Sequence, residues 1–377
     1  MNRILPFVIF VLIACTIYFF MHFFIFKILV KHLLLSEKSI KFVRLFFIFS
    51  GLSFPISMLI SRMLKFFLLN HYAHIWLGVM AIAFTVSFFV WLVFMIFPGK
   101  KQIAAIIGLA IIGIISAYSL INGLRLPVVK SETVSLDNLP GKLKGFSIVQ
   151  LSDLHLEPYK SRRTVSSIVA SVNALKPDLI VITGDLIEGD IQGDSGDSKD
   201  KNGDNHFIAE LRKLKAAYGV VAVTGNHEFY AGIQHFYKLA EKLNVKILRN
   251  QLLTIENCLQ IIGIDDDEAK RFGQKGPSLD ALIKECDPKK PIILLYHRPT
   301  GFAAAAAKGV DLQLSGHSHA GQIPPMDILV HLVYKYPAGL YEKNGAYIYT
   351  SPGTGYWGPP MRFLSRSEIT HIILDTK

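Results

Sequence analysis

Five short motifs in the second half of the chain carry side chains that bind metal ions. They are Asp153-Leu154-His155, Gly184-Asp185, Gly225-Asn226-His227-Glu228, Tyr296-His297 and Gly316-His317-Ser318-His319. Imidazole, carboxylate and amide ligands together suit divalent Mn, Fe, Zn or Ni, whereas oxygen ligands alone favour Mg or Ca. The motifs therefore predict a site for two divalent metal ions. Two such ions about 3.5–4 Å apart promote hydrolysis of phosphoesters.

Individual residues suggest parts of this site. Asp185 is the natural carboxylate to bridge two ions, and Asn226 offers a neutral oxygen. His317 and His319 are two positions apart, so both can reach one site if the backbone turns there, which Gly316 and Gly321 make easier. A lone Gly-Asp or a lone histidine is usually structural, but five such motifs in order favour chemistry.

Each motif follows a short apolar run that predicts a buried strand. These runs span residues 146–151, 179–183, 220–224, 292–295 and 312–314. Further strands are predicted at 245–248, 252–255, 259–264, 346–350 and 369–374, and helices at 163–175, 208–217, 234–243 and 279–286. The alternation predicts an α/β domain, a four-layer α/β/β/α sandwich with its site at the strand ends.

The first third of the chain predicts a membrane region. Apolar stretches at residues 5–30, 42–60, 75–97 and 103–121 each approach the roughly 20 residues that cross a bilayer. The first is too long for a cleaved signal peptide, and we expect it to be retained. We therefore predict a four-helix transmembrane region over residues 1–125, an extended linker over 126–144 and the catalytic domain over 145–377. The protein would be a multi-pass protein of the inner (cytoplasmic) membrane.

The basic charge belongs to the membrane region. Residues 1–144 hold 14 Lys and Arg against 3 Asp and Glu, whereas the remainder holds 26 of each. The distribution predicts a lipid bilayer as the partner of the basic residues and argues against nucleic acid. The first and third loops carry the basic excess, which predicts these loops inside and the catalytic domain outside the cytoplasm. The sequence indicates no protein partner.

The motifs resemble those of the calcineurin-like metallophosphoesterase family, from Gly145 to about Leu374. The extension from Ser318 to Gln322 resembles the membrane-attached bacterial branch, which includes UDP-2,3-diacylglucosamine pyrophosphatases. Protein Ser/Thr phosphatases carry an arginine where this chain has Gly189, so the resemblance disfavours a phosphoprotein substrate.

The resemblance also implies roles for individual residues. One metal ion would be held by Asp153, His155, Asp185 and His319, and the other by Asp185, Asn226, His297 and His317. His227 would face the leaving group as an acid or as a contact to the phosphoryl oxygen, with Glu188 or Glu228 as the acidic neighbour that keeps its imidazole charged.

The membrane region suggests a lipid-linked phosphorylated substrate, and the diphosphate of UDP-2,3-diacylglucosamine, in lipid A synthesis, is a specific candidate. An apolar segment at residues 328–336 either faces lipid or forms a core element in which His331 is an ordinary buried imidazole. Alternatives are a broad-specificity extracytoplasmic phosphodiesterase, a non-catalytic membrane sensor or scaffold, and a transporter, which the scarcity of acidic residues in the spans disfavours.

Two further features have structural explanations. Residues 189–205 are rich in Gly, Asp, Ser and Lys and predict a solvated loop. Cys258 and Cys286 show no short metal-binding spacing and are expected to be small buried side chains, although a disulfide between them is an open alternative outside the cytoplasm.

Overall fold

A computed structural model describes residues 4–64, 67–157, 162–188 and 206–377. The chain divides into two compact units. The helical unit contains residues 1–124, 323–326 and 358–364, and the sheet unit contains residues 125–322, 327–357 and 365–377.

The helical unit contains four long apolar helices, as the sequence predicts. They are α1 Ile4–His32, α2 Glu37–Leu64, α3 Phe67–Ile96 and α4 Lys101–Gly123. Each is long and apolar enough to cross a membrane, with stretches of 22 to 28 residues that meet this requirement. At most 28% of such a stretch is buried within the protein. Apolar side chains therefore cover the outside of the unit, which suits a lipid environment.

Two short segments from the second half of the chain belong to the helical unit. Ile323 and Met361 form a buried cluster with Ile82 of α3. The amide of Asn122, near the end of α4, donates a hydrogen bond of 3.0 Å to the backbone carbonyl of Arg362. The sequence did not predict that these segments pack against the apolar helices.

The sheet unit alternates strands with helices. Its strands are β1 Val128–Leu136, β2 Ser147–Leu151, β3 Leu179–Thr183, β4 Val220–Val223, β5 Lys246–Ile247, β6 Gln251–Ile255, β7 Leu259–Gly263, β8 Ile292–Leu295, β9 Leu312–Ser315, β10 Gly339–Lys343, β11 Ala346–Thr350 and β12 Glu368–Thr376. The helices are α5 Arg162–Ala174, α6 His206–Leu211, α7 Asn226–Ala231, α8 Ile233–Leu243, α9 Glu268–Arg271, α10 Leu279–Glu285, α11 Phe302–Ala306 and α12 Met326–Val333.

These strands form two mixed sheets of six strands. The order is β1-β12-β2-β3-β4-β5 in one sheet and β10-β11-β9-β8-β7-β6 in the other. Val181 of β3 and Ile261 of β7 belong to one buried cluster, so the sheets share a core. On the first sheet's other face, Phe236 of α8 packs with Ile180, and on the second sheet's other face Leu282 of α10 packs with residues of β7 and β8. The predicted four-layer sandwich is confirmed.

Three predictions in this region need correction or qualification. The predicted linker at 126–144 contains β1, which pairs with β12 in parallel, so the sheet unit begins before Gly145. Its inner residues Val134 and Leu136 are buried, but the polar run at residues 130–133 before them hides the strand pattern. The helix predicted at 208–217 ends at Leu211. The predicted loop at 189–205 lies outside the described residues.

The structure bears on two alternatives that the sequence left open. Cys258 and Cys286 are both buried and free, as the reading without a disulfide predicted. The apolar segment near 328–336 forms α12, and Leu332 is 77% exposed and Val333 72% exposed. Val330 and Tyr336 are buried, whereas His331 is exposed, so only the expectation of a buried imidazole at His331 is wrong.

Candidate metal centre

The predicted ligands lie just beyond the carboxyl ends of neighbouring strands. Asp153 follows β2, Asp185 follows β3 and Asn226 follows β4 in the first sheet, while His297 follows β8 and His317 follows β9 in the second. In α/β sheets this end is where ligands bind, because the chain turns there and its polar groups point out of the sheet. The fold brings six of the seven predicted ligands into two His/Asp clusters, described next; the seventh is Asn226.

The first cluster contains Asp153, His155 and His319. The Nε2 atoms of the two histidines lie 3.1 Å apart, and His319 Nε2 lies 3.4 Å from Asp153 Oδ1. Two nitrogen ligands at right angles around one ion, each about 2.1 Å from it, are separated by about 3 Å. The spacing of the three donors therefore fits a single divalent ion.

The second cluster contains Asp185, His297 and His317. His297 Nε2 lies 3.2 Å from Asp185 Oδ2 and 3.1 Å from His317 Nδ1. His317 and His319 thus belong to different clusters, as the resemblance implies.

Asp185 lies between the two clusters. Its Oδ2 is 3.2 Å from His297 Nε2 and 3.7 Å from His155 Nε2. The nearby Asn226 Oδ1 is buried and has no hydrogen-bond partner among the described residues. Since a buried carbonyl oxygen without a partner is costly, this atom fits a position that a cation would satisfy. The residues present can therefore hold two metal ions.

The backbone at the clusters adopts an unusual conformation. Five of the seven predicted ligands have left-handed backbone angles: Asp153 (φ 53°), His155 (φ 42°), Asp185 (φ 52°), His317 (φ 68°) and His319 (φ 50°). Such angles cost on the order of 1–3 kcal/mol for a residue with a side chain, and they concentrate at functional sites. The strained backbone occurs at residues whose donor atoms are directed toward the two clusters.

Two glycines allow the strand ends to approach. A Cβ atom on Gly225 would lie 2.1 Å from Asp185 Oδ1, and one on Gly316 would lie 2.3 Å from Asp153 Oδ2. Neither distance leaves room for a side chain. The glycines in these motifs are therefore required by the close packing of the carboxylates.

Hydrogen bonds fix the orientation of the ligand imidazoles. His155 Nδ1 lies 2.6 Å from Glu188 Oε2, and His297 Nδ1 lies 2.7 Å from the backbone oxygen of Thr183. Because each Nδ1–H donates to an oxygen, the Nε2 lone pair is directed into the cluster. Such supporting contacts set the tautomer of metal-binding histidines.

The two acidic neighbours expected for His227 occupy different places. Glu188 Oε2 lies 3.1 Å from His227 Nδ1 and also contacts His155. Glu228 instead accepts hydrogen bonds from the backbone N–H groups of Asp185, Leu186 and Gly225, at 2.9, 2.8 and 2.6 Å. Glu188 is therefore the carboxylate beside His227, whereas Glu228 holds the backbone of the second motif.

Electrostatics in the metal-free protein follow from these contacts. Burial opposes ionisation of Glu188, but hydrogen bonds from His155 and His227 lower its pKa to about 2. Burial favours neutral His227, but its hydrogen bond to Glu188 and the charge of Asp185 raise its pKa to about 9. Protonated His227 and ionised Glu188 thus form an ion pair in the neutral pH range.

The pKa values of the two imidazoles in the second cluster shift in opposite directions. Burial and the nearby His297 lower the pKa of His317 to about 3, so its ring is neutral. Burial also favours neutral His297, but Asp185 raises the pKa of His297 to about 10. A cation must displace this proton, because only the neutral ring can bind it.

The sequence reasoning missed one residue of the site, Trp357, and gave no role to another, Gln322. Trp357 donates its indole N–H to Glu188 Oε1 at 3.2 Å. Gln322, three residues after His319, exchanges two hydrogen bonds with the backbone of Trp357. Gln322 lies in the recognised extension of the last motif, but no local pattern marks Trp357, which comes from a loop distant in sequence.

Comparison with known proteins finds a matching family and similar chains. The calcineurin-like phosphoesterase family matches residues 146–321. An uncharacterised metallophosphoesterase of Aquifex aeolicus is 34% identical over 268 residues, which cover 70% of this chain and 97% of that protein. A transmembrane protein with metallophosphoesterase domain from Danio rerio is 34% identical, over 71% of this chain. The chain covers 62% of that protein's length.

A dimetal phosphatase from Danio rerio is similar over 56% of this chain and 88% of its own, with 14% sequence identity and a TM-score of 0.38.

Proposed function

The chain belongs to the calcineurin-like metallophosphoesterase family, and from this premise we propose that it is a membrane-bound hydrolase of phosphoester or diphosphate bonds that depends on two metal ions. The observation that carries this proposal is the pair of His/Asp clusters that approach each other at Asp185. Two cations bound there would supply a hydroxide at neutral pH and positive charge opposite the phosphoryl oxygens.

The proposed ligands are those expected from the motifs. Asp153, His155, Asp185 and His319 would hold one ion, and Asp185, Asn226, His297 and His317 the other. The buried Asn226 Oδ1 and the left-handed backbone at five of these positions support this set. Manganese, iron, zinc or nickel would suit the mixture of imidazole, carboxylate and amide donors.

We further propose that His227 protonates the leaving group or donates to the phosphoryl oxygen. Its Nδ1 is paired with Glu188, which favours the charged imidazolium that an acid requires. Glu228 would act indirectly, because its carboxylate binds the backbone that carries Asp185. Glu188 and Glu228 are thus proposed as positioning residues.

A lipid-linked substrate is the finer part of the proposal. Leu332 and Val333, at the end of α12, are 77% and 72% exposed. The next residue, Tyr334, has its ring centroid 5.9 Å from that of His317. An apolar surface therefore begins beside a proposed ligand, which supports a substrate with an apolar chain, such as UDP-2,3-diacylglucosamine.

The side of the membrane separates two versions of the proposal. Hydrolysis of UDP-2,3-diacylglucosamine for lipid A synthesis requires a cytoplasmic site. The basic residues of the first and third loops favour an extracytoplasmic catalytic domain, which suits a broad-specificity phosphodiesterase. Reporter fusions at the carboxyl terminus test the location: activity of a reporter that works only in the cytoplasm would exclude the extracytoplasmic version.

The catalytic proposal is tested with bis-p-nitrophenyl phosphate. Manganese-loaded protein should release p-nitrophenol, and His227→Ala should lower the rate by about 10²–10⁴, the usual contribution of a general acid. His331→Ala is the matched control, because His331 is exposed on α12 and, within the described part of the chain, hydrogen-bonds only to the Asp327 carbonyl of its own helix. Equal rates for wild type and His227→Ala would contradict the proposed role. A non-catalytic sensor or scaffold would show no manganese-dependent turnover.

The lipid-linked substrate requires a separate test. Val333→Asp should slow hydrolysis of a lipid diphosphate in vesicles about tenfold, since burial of one valine contributes about 1.5–3 kcal/mol. The soluble ester should be hydrolysed at the wild-type rate. Val129→Asp makes the same exchange at a 42% exposed position on β1 and should change neither rate. Equal effects of Val333→Asp on lipid and soluble substrates would contradict a lipid contact at α12.

A further inference from the structure

Trp357 is exposed to solvent but held in place at both its backbone and its ring. The side chain is 53% exposed. Its backbone N–H donates to Gln322 Oε1 at 3.1 Å, and Gln322 Nε2 donates to its carbonyl at 3.0 Å. The indole N–H donates to Glu188 at 3.2 Å. These three hydrogen bonds preorganise an apolar ring on the surface, which lowers the entropy lost when a ligand binds to it.

A second exposed aromatic ring contacts the same catalytic candidate. The Trp357 centroid lies 6.2 Å from the His227 ring, and the Tyr230 centroid lies 5.4 Å from it. Tyr230 is 54% exposed and follows His227 by one turn of α7. Phe272 contacts the Tyr230 ring at 6.4 Å and supports it. The residue proposed to face the leaving group is thus contacted by two accessible aromatic rings.

These rings offer a specific kind of binding surface. The indole N–H of Trp357 is already bonded to Glu188, so the part of this side chain that meets solvent is mainly its apolar ring. Flat aromatic surfaces bind other flat rings by offset or edge contacts at centroid distances of roughly 4.5–7 Å.

We propose that Trp357 and Tyr230 form a subsite for a planar aromatic ring carried by the leaving group of the substrate. The inference rests on the proposed function, because that function puts the leaving group beside His227. A nucleobase and an aryl group are both planar aromatic rings, so either meets this requirement. A nucleobase here and an apolar chain along α12 would suit a diphosphate that joins a nucleoside to a lipid.

A purely structural role for Trp357 makes different predictions. If the indole only positions Glu188, then Trp357→Phe, which keeps an aromatic ring but removes the N–H, should act like Trp357→Leu. If the ring binds substrate, Trp357→Phe should retain the preference for aromatic leaving groups, and Trp357→Leu should lose it. Tyr230→Leu and Tyr230→Phe form the corresponding pair on α7.

The experiment compares three methyl diphosphates that release uridine monophosphate, phenyl phosphate or base-free ribose 5-phosphate. Water adds across the diphosphate, and each product pair is a phosphate monoester and methyl phosphate. Because the leaving groups are all phosphate monoesters, their acidity differs little. Wild type should prefer the uridine compound to the base-free compound by about tenfold in kcat/KM, mostly through KM, as expected for stacking of one base.

The variants then locate this preference. In Trp357→Leu and Tyr230→Leu the ratio between the uridine and base-free compounds should fall toward one. Tyr218→Leu, another exposed aromatic at the opposite end of β4 from His227, should keep the wild-type ratio. The phenyl compound distinguishes a nucleobase from an aryl group. If it is preferred over the base-free compound as strongly as the uridine compound is, the subsite recognises any aryl ring; a smaller preference indicates a nucleobase.

Binding gives a readout independent of turnover. Calorimetry on the manganese-loaded full chain should show uridine monophosphate binding about tenfold more tightly than ribose 5-phosphate, and Trp357→Leu should remove the difference. Equal affinity in wild type, or equal losses in Trp357→Phe and Trp357→Leu, would overturn the aromatic subsite. Absence of hydrolysis of every compound would reject the proposed function, whereas the calorimetry would still decide the subsite.

Discussion

The two halves of the metal centre are supported in different ways. In the first cluster, His155 is oriented by the carboxylate of Glu188, which also pairs with His227. In the second cluster, His297 is oriented by the backbone oxygen of Thr183. The first half therefore shares an ionisable group with the candidate acid, whereas the second half is held by the sheet itself.

This difference predicts different functional roles for the two halves. A charged partner raises the basicity of a metal-binding imidazole and couples it to the protonation of its neighbours. A backbone partner fixes geometry without such coupling. Changes at Glu188 should consequently affect metal binding and proton transfer together, and changes around the second cluster should affect metal binding alone.

The largest effect is expected where the halves meet. Asp185→Asn should remove the carboxylate near both clusters and lower turnover of bis-p-nitrophenyl phosphate by at least about 10³-fold, because both cations lose a charged ligand. Elemental analysis should find fewer than two ions per chain. Asp280→Asn, at an exposed position on α10, is the control and should retain both the ions and the rate. Full metal content in Asp185→Asn would contradict a shared ligand.

A smaller but double effect is expected at Glu188. Glu188→Gln should lower the affinity for one of the two manganese ions about 10–100-fold, as the loss of a supporting carboxylate does in metal sites. In the metal-free protein it should also lower the pKa of His227 from about 9 toward its ordinary value of 6.5. Histidine NMR titration, assigned with His227→Asn, measures this shift.

The sign of the pH dependence follows from the raised pKa. Protonated His227 contributes stability that is fully present below its unfolded pKa of about 6.5 and is lost as pH rises through about 9. The metal-free wild type should lose more stability over this interval than Glu188→Gln. Identical pH profiles of thermal unfolding would show that the Glu188–His227 pair does not hold the proton.

The smallest effect is expected in the second half. Asn226→Ala removes one neutral oxygen and should lower the affinity for one manganese ion about tenfold. This loss is comparable to losing one hydrogen-bonding partner of a charged group. The pKa of His227 in the metal-free protein should shift much less than in Glu188→Gln. A large shift of that pKa would show that the two halves are not separately supported.

The motifs were predictable because each joins an apolar run to polar residues at a strand end. Local patterns could also predict the four apolar helices, since length and composition determine whether a helix can cross a membrane. The order of the six-stranded sheets was not predictable. It depends on pairs such as β1 with β12, whose partners Val128 and Glu368 are far apart in the sequence.

Other features depend on tertiary contacts that no local pattern contains. The left-handed backbone at Asp153 and Asp185 arises from the packing of strand ends, since both residue types also occur in ordinary turns. The choice between Glu188 and Glu228 as neighbour of His227 required the distances. Trp357 was missed because a lone tryptophan in a loop carries no periodic signal.

The central claim is that two metal ions bind close together at Asp185, and electron paramagnetic resonance of the manganese-loaded full chain tests it most directly. Two ions about 3.5–4 Å apart should give an exchange-coupled signal, with two manganese ions per chain. Asp185→Asn should lose that coupling. A stoichiometry of one, or two ions with only the uncoupled signal of isolated manganese in wild type, would contradict the account.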